Sequence, residues 1–387
     1  MRLSSFQYSE NIGSSQEWVL DKLTLNSKNL IVGKNAVGKS RTLNVIIALA
    51  NSLSRVQPIL FSGNYNCIFM HEGKEYSYQL IFEQEQIYFE KLMIDGEIQL
   101  EKNKDGINKI RVENIKEVEF MNFQPPPTEI SAFSRRDSLQ HSFLEPLYLW
   151  ASSVIHHQFG TTLGKGTLSI IQPGAPAVDE KNQAAIAGIY RKAEKEFDDD
   201  FNNAIIQDMA KIGYHINRVG LCPPISIKYE MVPSMTNELV VLYVQENDLP
   251  GITDQISMSQ GMFRILSLLI QVNYFRLKNI PTCILIDDIG EGLDFDRSCR
   301  IIKLLRDKTN GTDLQLIMST NDRFVMNDVP LEEWSVLQRK GSHVRVSNYL
   351  NSKEIFEEFK FTGLSNFSFL EFDVLNEQSN TEDSPGA

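Results

Sequence analysis

An eight-residue segment near the start of the sequence has the residue types and the spacing of a phosphate-binding loop. The segment reads Gly33-Lys34-Asn35-Ala36-Val37-Gly38-Lys39-Ser40 and fits the pattern GxxxxGK[ST]. Its glycines would let consecutive backbone N–H groups close around phosphate oxygens. We expect Lys39 to reach the β- and γ-phosphates of a nucleotide and Ser40 to place its hydroxyl on Mg²⁺. Arg41 follows immediately and is included among the predicted nucleotide-binding residues.

The segments on either side of this loop predict a strand before it and a helix after it. The apolar run Leu30–Val32 indicates a buried strand that ends at the loop. After Ser40, apolar residues recur at i, i+3, i+4 and i+7, which is typical of an amphipathic helix. These residues are Leu43, Ile46, Ile47 and Ala50. The N-terminus of such a helix favours phosphate. ATP and Mg²⁺ are therefore the expected cofactors.

A second candidate site is an apolar strand that ends in two acids. The run Cys283–Ile286 is followed directly by Asp287 and Asp288. In ATPases with a phosphate-binding loop, a carboxylate at this place holds the second side of Mg²⁺. Asp287 is the predicted metal ligand, directly or through water. Asp288 is then placed to polarise the attacking water, with Glu291 as the next candidate for the general base.

A third segment, Ser257-Met258-Ser259-Gln260-Gly261, opens a long helical pattern upstream of the acidic strand. Ser259 is expected to cap that helix, and Gly261 would let another backbone approach closely. The helix N-terminus, with Gln260 in its first turn, could then stabilise a γ-phosphate bound to a second copy of the chain. A lone Ser-x-Gly before a helix is usually only an N-cap.

Three further segments have the positions of switch elements. A glycine-rich turn, Gly290–Asp296, follows the acidic pair. The apolar strand Leu314–Met318 leads to Asn321. Gln124 stands between a predicted strand and the triple proline at residues 125–127. Taken singly, each of these segments could also be an ordinary turn or strand end.

The order of these motifs resembles that of ABC-type ATPases in the RecF, SMC and OLD-like branch, over about residues 30–350. By this resemblance, Ser259 and Gly261 belong to the signature loop, which acts on ATP held by the partner copy. Asp294 lies in the D-loop, which crosses the dimer interface. Asn321 replaces the usual switch histidine and cannot titrate, so turnover is expected to be slow. Gln124 would be the metal-sensing glutamine at the hinge to an inserted lobe.

The resemblance implies an α/β fold, namely a P-loop ABC-type ATPase head with an antiparallel β subdomain and a helical inserted lobe. The predicted division assigns residues 1–125 to the N-terminal half of the core and 126–250 to the inserted helical and β lobe. It assigns 251–350 to the C-terminal half with the signature, acidic and switch segments, and 351–387 to an extension with a disordered end.

Periodicity and turn residues predict the main elements. An antiparallel meander is expected over residues 65–120, with hairpin turns at Glu72-Gly73, Asp95-Gly96 and Asp105-Gly106. Helices are expected near 139–158, 181–212, 261–278 and 297–308, strands at 282–286 and 314–318, and a hairpin around Gly341. His156 and His157 then fall inside a helical pattern, where adjacent residues do not share a face for a metal.

Composition limits the classes of partner and compartment. The net charge of −12 disfavours broad, sequence-independent binding of nucleic acid and leaves only a local basic patch open. The four cysteines include no CxxC pair, which favours reduced thiols. No apolar run is long enough for a membrane span. We therefore expect a cytoplasmic protein that does not contact membranes.

Three functional classes follow. The first is an ATPase that forms an ATP-dependent homodimer or higher oligomer and regulates a separate effector protein, a nuclease or toxin. Compact relatives of this kind, without a Toprim nuclease domain, resemble ATPase subunits of bacterial anti-phage defence modules. The second is a RecF-like DNA-binding ATPase of repair or recombination. The third binds ATP only as a structural element. The net charge and the missing switch histidine favour the first class.

Overall fold

A computed structural model describes residues 1–54, 62–104, 106–113, 119–161, 164–171, 178–226, 238–372 and 374–375. The predicted disordered end, 377–387, lies outside this range. The first half contains β1 (Arg2–Glu10), β2 (Trp18–Thr24), β3 (Lys28–Val32), α1 (Lys39–Ser54), β4 (Ser62–His71), β5 (Lys74–Glu83), β6 (Gln86–Ile94), β7 (Glu97–Asn103), β8 (Asn108–Arg111), β9 (Phe120–Phe123), α2 (Ser131–Ser134), α3 (Glu145–Ser153), β10 (Val154–Gln158) and β11 (Ser169–Ile171).

The second half contains α4 (Ile186–Ile212), β12 (Ile216–Cys222), β13 (Glu238–Glu246), β14 (Thr253–Asp254), α5 (Gln260–Leu277), β15 (Thr282–Asp287), α6 (Phe295–Lys308), β16 (Leu314–Ser319), α7 (Arg323–Asp328), β17 (Trp334–Lys340), β18 (His343–Asn348), α8 (Lys353–Phe361) and α9 (Ser368–Glu371). The fold is mixed α/β. No helix of the described residues is both long and apolar enough to cross a membrane.

The chain divides into two compact units. Unit 1 comprises residues 1–155, 281–285 and 315–387, and unit 2 comprises 156–280 and 286–314. Residues 126–155 therefore group with unit 1, although the sequence predicts an inserted lobe that starts at 126. The four-part division by sequence stays a prediction.

Unit 1 is built on a large mixed sheet. Its strand order is β10-β15-β16-β3-β17-β18-β2-β1-β4-β5-β6-β7-β8-β9. Strand β3 pairs in parallel with β16 on one side and β17 on the other. From β2 to β9 the pairing is antiparallel. Helices α1 and α3 supply apolar side chains to the core of this unit, among them Leu43, Ile46 and Trp150.

The expected hairpins are present in the antiparallel part of the sheet. Strands β4 and β5 meet at Glu72-Gly73, and β5 and β6 enclose Gln84-Glu85. Strands β6 and β7 meet at Asp95-Gly96. The two residues of each turn have positive φ, the backbone of the two-residue turns that suit strand twist. The Gln84-Glu85 turn lacks glycine, which explains why the sequence did not indicate it. Asp105 lies outside the described residues.

Unit 2 combines helices with a small antiparallel sheet. The sheet order is β11-β13-β12, with β14 paired to β13. Helix α5 is buried on all faces from Gly261 to Phe275, so it is the central element of this unit. The predicted helix over 181–212 starts later, at Ile186, and has one non-helical residue, Asp198 (φ 47°, ψ −127°).

The sequence prediction of one helix over residues 139–158 is wrong at both ends. Helix α3 starts at Glu145, with Pro146 in its first turn, and ends at Ser153. The chain then continues as strand β10, which contains His156 and His157. Two β-branched residues, Val154 and Ile155, stand at the switch and favour the strand. The helices predicted near 261–278 and 297–308 and the strands near 282–286 and 314–318 are confirmed to within a few residues.

Candidate nucleotide-binding site

The predicted phosphate-binding loop lies in unit 1, between β3 and the start of α1, as the sequence predicts. A Cβ atom at Gly33 would lie 2.6 Å from the carbonyl oxygen of Leu337, so the close approach of β17 requires glycine there. Gly38 has φ +110°, a conformation that favours glycine, and a Cβ there would lie 3.3 Å from the Trp18 ring. Ala36 adopts positive φ (64°) between them. The backbone of the loop is therefore fixed by its own glycines and by the strand behind it.

The Lys39 ammonium group is held inside this loop. Its Nζ donates to the carbonyl oxygens of Gly33 (2.9 Å) and Lys34 (3.3 Å), and the residue is only 6% exposed. Carbonyl oxygens orient the ammonium without removing its charge. The arrangement places a fixed cation within the loop that the sequence assigns to the β- and γ-phosphates.

The contacts of Arg41 within the protein account for the position of its side chain without a bound nucleotide. Its Nε donates to Glu10 Oε1 (3.0 Å), and its guanidinium lies 4.6 Å from the centre of the Trp18 ring. These contacts join α1 to β1 and β2 within unit 1. A direct role for Arg41 in nucleotide binding stays a prediction.

Asn321 follows a strand that ends beside the loop. In the parallel pair of β16 and β3, Ser319 lies opposite Ile31, and the Thr320 N–H points to the Ile31 carbonyl. Parallel strands leave a sheet at the same edge. The register therefore places Asn321 and the start of the loop at Gly33 on one edge of unit 1.

The acidic pair closes strand β15. Asp287 is its last residue and is 8% exposed, and its carbonyl accepts a hydrogen bond from the Phe159 N–H (3.0 Å). Asp288 has φ +53°, a left-handed conformation that aspartate tolerates better than most residues. Its carbonyl accepts from the Glu291 N–H, which forms a tight turn. The chain thus reverses immediately after the predicted metal ligand.

His156, on the strand that leads to Phe159, lies in the electrostatic environment of Asp287. Burial lowers the pKa of His156, and the Asp287 carboxylate opposes that shift. His157 is fully buried, and burial lowers its pKa to about 3. Both rings are therefore neutral near pH 7.

The signature segment forms a capped helix start in unit 2. Ser259 is the N-cap of α5, and its Oγ accepts from the Met262 N–H (3.2 Å). A Cβ at Gly261 would lie 3.1 Å from the Gly292 carbonyl oxygen and 3.0 Å from Leu293. The glycine therefore lets the first turn of α5 approach the glycine-rich turn 290–293. The cap and the close approach agree with the sequence prediction.

Arg264 joins these two segments and was not indicated by the sequence. It lies one turn after Gly261 on α5. Its Nη1 donates to the Glu291 carbonyl (2.6 Å), and Nη2 donates to the Thr161 carbonyl (3.1 Å). A Cβ at Gly292, where φ is +74°, would collide with Nη1 at 2.2 Å. Burial lowers the pKa of this guanidinium, but arginine stays charged near pH 7.

The structure also describes the surroundings of Asp294 and Gln124, two further residues of the predicted site. Asp294 is the N-cap of α6 and accepts from the Arg297 N–H (3.0 Å), and this bond holds the pKa of its carboxyl below the usual value. Gln124 follows β9, the terminal strand of the sheet in unit 1, and is exposed. The N-cap hydrogen bond is by itself a sufficient structural reason for an aspartate at position 294. The metal-sensing role of Gln124 stays a prediction.

Comparison with known proteins gives a fold likeness only. No protein-family model matches the chain, and no curated protein matches it. Among solved structures, the SMC head bound to the C-winged helix domain of ScpA is similar, with a TM-score of 0.53, 12% identity, and coverage of 92% of this chain and 100% of that one.

The Smc head domain with an extended coiled coil, bound to the C-terminal domain of ScpA from Pyrococcus furiosus, gives a TM-score of 0.51 at 11% identity. It covers 93% of this chain and 99% of that one. The chain therefore has the fold of SMC head domains.

Proposed function

We propose that this protein is a Mg²⁺-dependent ATPase of the ABC type that dimerises around ATP and transmits its nucleotide state to a separate effector protein. The observation that carries the proposal is the geometry of the loop 33–40, with Lys39 bonded to two loop carbonyls at the start of α1. Such a loop supplies backbone N–H groups, a fixed cation and a helix N-terminus to phosphate.

In this proposal, three residues have different roles in ATP hydrolysis. Lys39 would bind the β- and γ-phosphates, Asp288 would polarise the attacking water, and Asn321 would hydrogen-bond the γ-phosphate from the neighbouring strand end. An amide cannot take up a proton, so Asn321 can orient but not act as a base. Slow turnover is therefore part of the proposal.

Ser40 and Asp287 would hold Mg²⁺. They offer a hydroxyl at the start of α1 and a carboxylate at the end of a buried strand, and Mg²⁺ prefers hard oxygen ligands of this kind, completed by phosphate and water. When bound, the metal neutralises charge on the β- and γ-phosphates.

Dimerisation is inferred from the signature and the D-loop segments. Gln260, at the start of α5, and Glu291 and Asp294, in the turn before α6, are at least partly exposed, whereas most of α5 is buried. A helix N-terminus at a surface can act on phosphate held by another copy. The likeness to SMC heads solved with a bound partner domain supports the further step to an effector.

ATP hydrolysis by the purified chain, measured together with light scattering in the presence of a non-hydrolysable ATP analogue, tests the proposal. We expect slow hydrolysis and an analogue-dependent dimer. A chain that binds no ATP would contradict the proposal outright. Strong stimulation of hydrolysis by DNA ends would instead favour the RecF-like alternative, and binding without hydrolysis would leave only a structural use of ATP.

A further inference from the structure

Unit 2 contains a basic cavity that the proposed ATPase function does not use. Its volume is about 590 Å³, and it lies at the C-terminal ends of α4 and α5 and along α6. Five cationic residues line it: Lys211, Arg276, Arg300, Lys303 and Lys308. Among the described residues that line it, Asp307 is the only acid. A smaller cavity of about 250 Å³ is also lined by Arg276 and by Thr312.

One of these cations is a structural residue at the base of the cavity. Lys308 is buried, and its Nζ lies 2.6 Å from Asp208 Oδ2 and donates to Asn273 Oδ1 (2.9 Å). Asn273 Nδ2 in turn donates to Asp208 Oδ2 (2.9 Å). Burial lowers the pKa of Lys308, whereas Asp208 acts against that shift. This buried network connects the ends of α4, α5 and α6 and fixes the cavity wall.

The other cations are exposed and largely uncompensated. Lys211 has only a loose contact with Asp208, at 3.7 Å. Arg276, Arg300 and Lys303 form no ion pair with any residue in the described part of the chain. The chain has a net charge of −12, so three unpaired cations at one cavity make the local charge opposite in sign to that of the whole chain.

Helix dipoles explain only part of this cluster. Lys211, Arg276 and Lys308 lie in the last turns of their helices, where positive charge is favoured in any case. Arg300 and Lys303 lie in the middle of α6, one turn apart, where that effect has faded. Arg300 also reaches the C-terminus of α4, since its Nη1 would lie 3.3 Å from a Cβ at Gly213. Lys303 therefore faces the cavity without a helix-dipole reason, whereas Arg300 lies between the cavity and the C-terminus of α4.

We propose that this cavity binds a compact ligand with two or more phosphate groups, separately from the nucleotide at the loop 33–40. Guanidinium groups bind phosphate in a bidentate manner, and Arg276 and Arg300 offer two such groups. The volume is in the range of small-molecule sites. A nucleic-acid backbone would need cations spread along an extended surface, which the overall charge disfavours.

Isothermal titration calorimetry with inorganic tripolyphosphate and with GTP tests the proposal. Lys39→Ala is used as the background so that the loop 33–40 does not bind the probes. The pocket variant is Arg276→Gln/Arg300→Gln/Lys303→Gln. The matched control, Arg191→Gln/Lys195→Gln/Arg218→Gln, removes three other exposed cations of unit 2 and so makes the same change in net charge. All six side chains are exposed, and the melting temperature of each variant reports on folding.

We expect saturable binding of at least one probe, with one site per chain. The pocket variant loses three groups that could form charge-assisted hydrogen bonds to phosphate, so it should weaken binding about tenfold or more, and the control should stay within about twofold. Tighter binding of GTP than of tripolyphosphate would indicate a nucleotide, and the reverse order an inorganic or small polyphosphate. The absence of saturable binding, or equal losses in both variants, would overturn the proposal. So would short duplex DNA that binds through these residues while both small probes fail.

Discussion

At the scale of single residues, the site depends on a few side chains whose positions are fixed by backbone contacts. Lys39 is held by the Gly33 and Lys34 carbonyls, and Gly33 is itself required by the approach of Leu337. The entropy of ordering a long lysine side chain is thus already lost before a ligand arrives. Preorganisation of this kind strengthens binding because the ligand does not have to order the group.

Lys39→Ala should therefore weaken ATP binding strongly and leave the fold intact. Two charge-assisted contacts to phosphate are worth about 3 kcal/mol together, so affinity should fall about a hundredfold. Lys22→Ala, an exposed lysine of the same unit, is the control. Nucleotide affinity and melting temperature are measured on both variants. Unchanged ATP affinity in Lys39→Ala would refute the assignment of the loop.

Asp288→Asn should slow hydrolysis by about a hundredfold or more and keep ATP binding, because a general base contributes 10²–10⁴-fold. Asparagine tolerates the same left-handed backbone (φ +53°), so the turn after β15 should persist. Single-turnover hydrolysis and ATP affinity are measured together. Glu291→Gln is the parallel variant. If Asp288→Asn hydrolyses normally and Glu291→Gln does not, the base is Glu291.

At the scale of elements, the start of α5 and the turn before α6 form one structure within unit 2. The Ser259 cap, the Gly261 contact with Gly292 and the Arg264 bonds to the Glu291 and Thr161 carbonyls hold them together. A rigid pair of this kind can present a helix N-terminus and a turn to a partner in a fixed geometry.

Ser259→Arg should block ATP-dependent dimerisation while the isolated subunit still binds ATP. A bulky cation at the N-cap would obstruct closure onto the nucleotide of the partner copy and would also oppose the helix dipole. Light scattering with a non-hydrolysable ATP analogue measures the dimer. Ser259→Ala reports the loss of the cap alone, which costs about 1 kcal/mol of stability. If Ser259→Arg dimerises normally, Ser259 acts only as the N-cap of α5 and has no role in dimerisation.

Arg264→Gln should lower kcat about tenfold without changing the affinity for ATP, because the Arg264 side chain bonds to the Glu291 and Thr161 carbonyls and its loss releases the turn 290–293. A general loss of folding would also lower the affinity for ATP, whereas release of this turn alone would not. Amide hydrogen exchange of residues 290–293 is therefore measured as well, and its rate should increase. Arg191→Gln, exposed on α4, is the control. An unchanged kcat with faster exchange would show that the position of this turn is irrelevant to hydrolysis.

The elements that could be predicted from the sequence are those specified by short-range patterns. The loop 33–40, the Ser259 cap and the strand before Asp287 each depend on neighbouring residues, and their local structure follows the prediction. Strand β10 was missed because its apolar residues, Val154 and Ile155, form too short a run for periodicity to separate a helix from a strand. Arg264 was missed because its partners, Thr161 and Glu291, are distant in the sequence.

At the scale of the whole molecule, the likeness to SMC heads covers 92% of the chain. At 12% identity, the likeness establishes the fold but not the biological role. In the function proposed above, ATP hydrolysis changes the conformation of the chain, and this change acts on another molecule.

We expect the purified chain alone to have no nuclease activity and to act through a separate protein bound to residues 126–250. Among the described residues, no group of three histidine, cysteine, aspartate or glutamate side chains is arranged to hold a metal ion of a nuclease centre. Plasmid nicking by the wild-type chain with Mg²⁺ or Mn²⁺ is the first measurement, and no cleavage is expected. The second measurement is co-purification from the native host, with the wild-type chain and with Asp288→Asn, which should accumulate the ATP-bound dimer.

A partner that responds to the nucleotide state binds the ATP-bound dimer and the ATP-free chain with different affinities, so its recovery should differ between wild type and Asp288→Asn. Cleavage of DNA by the pure chain, lost on a point mutation within it, would overturn the prediction, as would a partner recovered equally from both forms.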